Sequence, residues 1–83
     1  MKVTVKLYAL LAKYLPRDAV DNQIQLDVSE GSTPNSVLNK INVPLKHCHL
    51  LLVNGVYVAP SARDTYALKE NDAVAAWPPI AGG

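Results

Sequence analysis

The sequence predicts an α+β fold: a mixed sheet of about five strands with one main helix across one face. Three observations carry that reading. Apolar residues alternate with polar ones at Val3, Val5 and Leu7, and again at Ile24, Leu26 and Val28, which is the period of half-buried strands. Only one stretch, from Thr33 to Ile41, has both a cap and a helical stripe. Asn54-Gly55 between two apolar runs is a strong hairpin signal, because a type I′ turn needs positive φ at both central residues.

The elements follow in order. The first strand starts almost at residue 1, with Lys2, Thr4 and Lys6 facing away from Val3, Val5 and Leu7. From Ala9 to Leu15 the period changes to helical spacing, and Pro16 ends that short segment. Residues 17–22 form a polar connection to the second strand, which is expected to lie antiparallel to the first. Thr33 is a good N-cap, and Pro34 fits the first helical position because its missing N–H costs nothing there. Val37, Leu38 and Ile41 form the apolar stripe, and Pro44 stops the helix near Asn42. Leu50 to Val53 is the third strand and Val56 to Val58 a short fourth, ended by Pro60. Ser61 to Asn71 is an irregular connection with Tyr66 and Leu68 as inward anchors, and Ala73 to Trp77 is the last strand. Strands joined by short turns pair antiparallel, and the helix serves as crossover, which is a β-grasp arrangement. The expected division is a folded body over 1–77 and a flexible tail over 78–83.

Composition removes several function classes. The chain has 83 residues, enough for one small domain and one core. A domain this small buries about 60% of the surface its unfolded chain exposes, which leaves little room for a deep active-site cavity. Eight basic and seven acidic residues give a net charge of +1, so there is no electrostatic footprint for nucleic acid or an anionic membrane. One cysteine, Cys48, makes no internal disulfide and no structural zinc site. Apolar runs fall well short of the roughly 20 residues that span a bilayer. The alternating N-terminus is unlike a signal peptide, so the cytoplasm is the expected compartment.

Few residues suggest chemistry. His47-Cys48-His49 invites a metal or nucleophile reading, but in an extended segment Cys48 points away from both histidines, and no acid is adjacent. A loop leading into the third strand is the expectation. The carboxylates lie mostly in turns, where they solvate the surface or bond local N–H groups, and Asp72 is expected to fix the turn into the last strand. No catalytic residue and no metal ligand is assigned.

The last residues differ from the rest. Gly82-Gly83 has no packing role, and Pro78 and Pro79 stiffen the exit from the last strand by fixing φ. Ile80 adds an apolar handle before Ala81. Extended from Pro79, the tail reaches about 15–18 Å. A probe this thin can carry a terminal carboxylate into another protein's cleft.

Val53-Asn54-Gly55-Val56-Tyr57-Val58, followed by Tyr66 through Asp72, Ala73-Val74-Ala75-Ala76-Trp77 and Pro78-Pro79-Ile80-Ala81-Gly82-Gly83, resembles the MoaD/ThiS family of sulfur carriers. The resemblance is nearest to molybdopterin synthase small subunits. It covers the whole chain and is specific from Leu52 onward. Asn71 stands where the family often has Gly, which Asn can replace because it tolerates a left-handed conformation. Ala76 replaces a common aromatic, and the double proline sets the chain apart from thiazole carriers.

The resemblance implies a ubiquitin-like fold and a carrier with no catalytic residues of its own. A ubiquitin-activating-type adenylyltransferase would use ATP to convert the Gly83 carboxylate to an acyl-adenylate. Sulfur from a sulfurtransferase or cysteine desulfurase would then displace AMP and leave a thiocarboxylate. The tail, Pro78 to Gly82, would insert into the molybdopterin synthase large subunit. A thiazole carrier, a carrier in another sulfur pathway and a ubiquitin-like protein modifier are the alternatives. No cofactor is expected on this chain.

Strand faces suggest a docking patch. With Val74 toward the helix-side core, Trp77 falls on the opposite face. The third strand is apolar at every position, so it also contributes to that open face, with Leu51 and Val53 expected beside Trp77.

Overall fold

The computed structural model describes residues 1–79. Five strands form one mixed sheet: β1 (Lys2–Leu7), β2 (Gln23–Asp27), β3 (Leu50–Val53), β4 (Val56–Tyr57) and β5 (Ala73–Trp77). Their order across the sheet is β2-β1-β5-β3-β4. The last strand is therefore central, parallel to β1 and antiparallel to β3. One helix, α1 (Pro34–Lys40), packs on one face. The α+β reading with its ubiquitin-like arrangement holds.

Local signals explain the elements. Thr33 caps α1: its hydroxyl accepts from the Ser36 amide, and the Ser36 hydroxyl accepts from the Thr33 amide, a reciprocal capping box. Asn42, just past the helix, has φ +62°, which helps end it before Pro44. Between β1 and β2, residues Ala9–Tyr14 form a 3₁₀ segment rather than an α-helical turn, with Leu11 buried. A second 3₁₀ turn, Leu45–His47, precedes β3. Asn54 and Gly55 both take positive φ, as the type I′ turn requires.

The core lies between the sheet and α1. Val3, Val5, Leu7, Val37, Leu38 and Val74 are buried there, and each such side chain contributes about 1.5–3 kcal/mol relative to exposure. Leu68 is buried as expected, but Tyr66 is 40% exposed and anchors nothing. The 3₁₀ turn Pro60–Ala62 and the Tyr66 amide bond to the Ala62 carbonyl hold that loop locally, so only Leu68 has to reach inward.

The register of β5 is fixed at its start. The Thr4 amide donates to the Asp72 carbonyl, and the Asn71 amide donates to the Lys2 carbonyl. Asn71 takes φ +68°, so it adopts the left-handed conformation expected of it. Asp72 accepts from the Lys69 amide at 2.8 Å and from the Asn54 side-chain amide at 2.8 Å. The Asn54 side-chain carbonyl accepts from the Ala73 amide at 2.9 Å. One hairpin residue thus ties the β3–β4 turn to the entry of the central strand.

Candidate functional site

The residues at the end of β5 form the candidate site. This strand lies in the middle of the sheet, so its chain leaves between β1 and β3. The strand's carbonyls at that end are in use. The Tyr8 amide donates to the Ala76 carbonyl at 3.2 Å, and the His49 amide donates to the Trp77 carbonyl at 2.9 Å. The Tyr8 and Trp77 rings stack with centroids 4.6 Å apart and planes 12° from parallel. Such a pair contributes about 0.5–1.5 kcal/mol beyond its buried area. The end of β5 is thereby held from both neighbouring strands. Pro78 is half-buried and Pro79 exposed, so the chain emerges at Pro79.

The sequence placed Trp77 on the open face, and the structure agrees: Ala76 is buried on the helix side and Trp77 is half-buried opposite. Leu51 and Val53 require correction. They are 0% and 1% exposed and belong to the core. The reason is register: Leu51 pairs with Ala76 and Val53 with Val74, both core-facing, so the other two β3 residues face outward. The open face carries Leu50 paired with Trp77, and Leu52 paired with Ala75 and Tyr57. Leu50 and Tyr57 are exposed large apolar residues. The open face expected to carry Leu51 and Val53 therefore carries Leu50 and Leu52 in their place.

Gly83, the expected attachment point, and Ile80, Ala81 and Gly82 of the expected inserted tail lie outside the described residues. Pro78 and Pro79 are the part of that tail the structure places.

The other chemical candidates separate. Cys48 is buried while His47 and His49 are exposed, so the triplet does not converge. Burial pushes the Cys48 thiol up, against the pull of the Arg63 guanidinium. Among the described residues there is no cluster of His, Cys, Asp or Glu able to hold a metal. None of their helices is long and apolar enough to cross a membrane.

Sequence reasoning missed Arg63. It is 4% exposed, and its guanidinium donates to the carbonyls of Val58 at 2.9 Å, Cys48 at 2.7 Å and His49 at 3.3 Å. These bonds hold the entry of β3, including His49, whose amide bonds Trp77. Arg63 thus supports the exit of β5 indirectly. An arginine in an irregular polar stretch gives no local sign of this role.

A sequence model of the family described as Mut7-C ubiquitin matches residues 1–81. No curated protein matches the chain. Among solved structures, the Haloferax volcanii HVO 2177 protein is similar over 100% of this chain and 87% of its own, at 24% identity and TM-score 0.76. Small archaeal modifier protein 1 of H. volcanii is similar over 95% of this chain and 98% of its own, at 21% identity and TM-score 0.68. A complex of subunits 1 and 2 of the molybdopterin-converting factor from Helicobacter pylori 26695 contains a chain similar over 100% of both, at 16% identity and TM-score 0.62. At these identities the structures share the fold.

Proposed function

The chain belongs to the Mut7-C ubiquitin family, and from that membership we propose that it is a ubiquitin-like sulfur carrier loaded at the Gly83 carboxyl group. The observation that supports this most is the path of the chain at the end of β5. A central strand, held on both sides, runs directly into Pro78-Pro79 and then Ile80-Ala81-Gly82-Gly83. Rigid body and side-chain-free tip are the two parts that a carrier needs.

The chemistry is dictated by the carboxylate. It is a poor acyl electrophile until one of its oxygens attacks the α-phosphorus of ATP and pyrophosphate leaves. A sulfur nucleophile then attacks the acyl carbon, and AMP leaves with the bonding electrons of the C–O bond. Hydrosulfide in that role gives the thiocarboxylate directly. A persulfide gives an acyl disulfide, which a thiol cleaves to the thiocarboxylate while it forms a disulfide with the donor. The thiocarboxylate sulfur is a good nucleophile. Activation belongs to an adenylyltransferase, and sulfur supply to a sulfurtransferase or cysteine desulfurase. This chain contributes the tail and the surfaces that present it, and we assign it no catalytic residue.

For the acceptor we favour molybdopterin synthesis, with this chain as the small subunit beside a large one. The double proline before the Gly-Gly pair and the likeness to a molybdopterin-converting factor chain support that choice. The likeness to small archaeal modifier protein 1 favours a second reading, in which the activated Gly83 is joined to lysines of other proteins.

The test uses the purified chain with an adenylyltransferase, ATP and a sulfur donor. Pyrophosphate release should depend on Gly83. Adding a molybdopterin synthase large subunit and its pterin precursor should then yield the dithiolene. Lysine-linked conjugates in place of dithiolene would select the modifier reading, and Gly83-independent pyrophosphate release would sink both.

A further inference from the structure

A second feature lies beside the emerging chain. A groove of about 320 Å³ opens between the 3₁₀ segment Ala9–Tyr14, the 3₁₀ turn Leu45–His47 and the pair Pro78-Pro79. Its apolar lining comes from Leu10, Leu11, Tyr14 and the two prolines, and its polar groups are Lys13 and His47. Among the described residues no carboxylate lines it.

Three observations show that this is more than a surface irregularity. Leu10 is 78% exposed, a large apolar side chain turned to water where a polar residue would serve the fold better. It is put there by Ala9, which takes φ +52°, a left-handed conformation that costs a non-glycine residue about 1 kcal/mol or more. The walls are also fixed before anything binds. Tyr8 pins one wall to β5 through its Ala76 bond and its Trp77 stack, and Leu11 anchors it in the core. The Cys48 amide bond to Leu45 and the His49 bond to Trp77 pin the other. A preformed groove avoids the ordering cost of one that must assemble.

Charge selects the occupant. The Lys13 ammonium sits 5.3 Å from the centroid of the Tyr14 ring, at the groove rather than against an acid. Lys46 precedes His47 in the adjoining turn and is exposed. The single salt bridge among the described residues, Lys2 to Asp27, joins strands β1 and β2 and does not involve these lysines. An apolar slot with Lys13 in its lining, in no salt bridge among the described residues, suits an apolar side chain flanked by carboxylates and disfavours the same side chain flanked by lysines.

The geometry points to this groove as a docking site for an acidic segment of a partner protein, which inserts one large apolar side chain beside Leu10 and sets a carboxylate against Lys13. This does not depend on the chemistry of Gly83. It predicts a partner contact through residues other than Leu50, Leu52 and Tyr57 of the open sheet face.

The experiment is an NMR titration of the full chain with two short peptides. Both carry a central Leu-Phe pair, flanked by glutamates in one and by lysines in the other. The glutamate peptide should move the resonances of Leu10, Lys13, Tyr14 and His47, and its affinity should collapse in about 1 M salt, where the Debye length is about 3 Å. Lys13→Glu should weaken it about tenfold, as like charge replaces opposite charge. Leu10→Ser should weaken it without changing the unfolding midpoint, since Leu10 contributes almost nothing to the core. Equal binding of the lysine peptide, no binding of the glutamate peptide, or shifts confined to Leu50, Leu52 and Tyr57 would overturn the proposal. So would a chain truncated after Pro79 that binds the glutamate peptide about tenfold more tightly, because residues 80–83 would then be the occupant.

Discussion

Arg63 supports the tail-bearing end, though none of its hydrogen bonds goes to a described residue of β5 or the tail. Its guanidinium is buried and bonded to three carbonyls, and it forms no salt bridge among the described residues. Arg63→Ala would leave those carbonyls without donors in a site water reaches poorly. We expect a loss of about 2–4 kcal/mol, read from the urea midpoint at unchanged slope. Arg63→Lys should recover only part of it, since a point ammonium cannot reproduce the fork. Cys48 gives a second prediction at this scale. Burial raises its thiol pKa, so the folded state favours the protonated form. That contribution to stability is complete below the ordinary thiol pKa and is lost as pH rises through the raised folded value. An aromatic disulfide reagent should therefore modify Cys48 slowly in the folded chain at neutral pH and rapidly in urea. Neither property was legible in the sequence. Arg63 sits in a stretch of small polar residues that reads as solvated loop, and Cys48 between two exposed histidines reads the same way. The pairing that buries both is long-range.

At the scale of elements, the hairpin turn and the central strand carry the most information. Gly55 takes φ +82° with open space where a Cβ would sit, so Gly55→Ala meets only conformational strain. It should cost about 1 kcal/mol in chemical denaturation. Asn54→Ala should cost more, because it removes the side-chain bonds to Asp72 and Ala73 as well as the residue's tolerance for positive φ. Ala76 is fully buried between Leu7 and Leu51 in the neighbouring strands. Ala76→Tyr should be destabilising by about 1–3 kcal/mol or more from overpacking. Alternation made β1 and β2 readable with their faces, and the Thr33-Pro34 pair marked the start of α1. Leu50 to Val53 was readable as a strand but not as a pair of faces, because a run apolar at every position has no period. Its pairing with β5 decides which side each residue takes, and that decision moves the open patch from Leu51 and Val53 to Leu50 and Leu52.

For the whole molecule, the consequential fact is the position of the last strand. Pairing β1 with β5 joins Thr4 to Ala73, near the two ends of the sequence. No local pattern announces such a contact, and it has to be inferred from the fold class. It places the root of the Pro-Pro-Ile-Ala-Gly-Gly segment in the middle of a sheet, beside an apolar open face and the groove that Lys13 lines. A domain with little room for its own active site is thus organised around one exit. The central claim is that Gly83 carries sulfur, and the most direct measurement is the intact mass of the chain after co-expression with an activating enzyme and a sulfur donor. The account predicts a species heavier by one sulfur in place of one oxygen. Fragmentation should locate the change at Gly83, and deleting Gly83 should remove it. An unchanged mass with a competent activating enzyme, or a gain that survives the deletion, would contradict it.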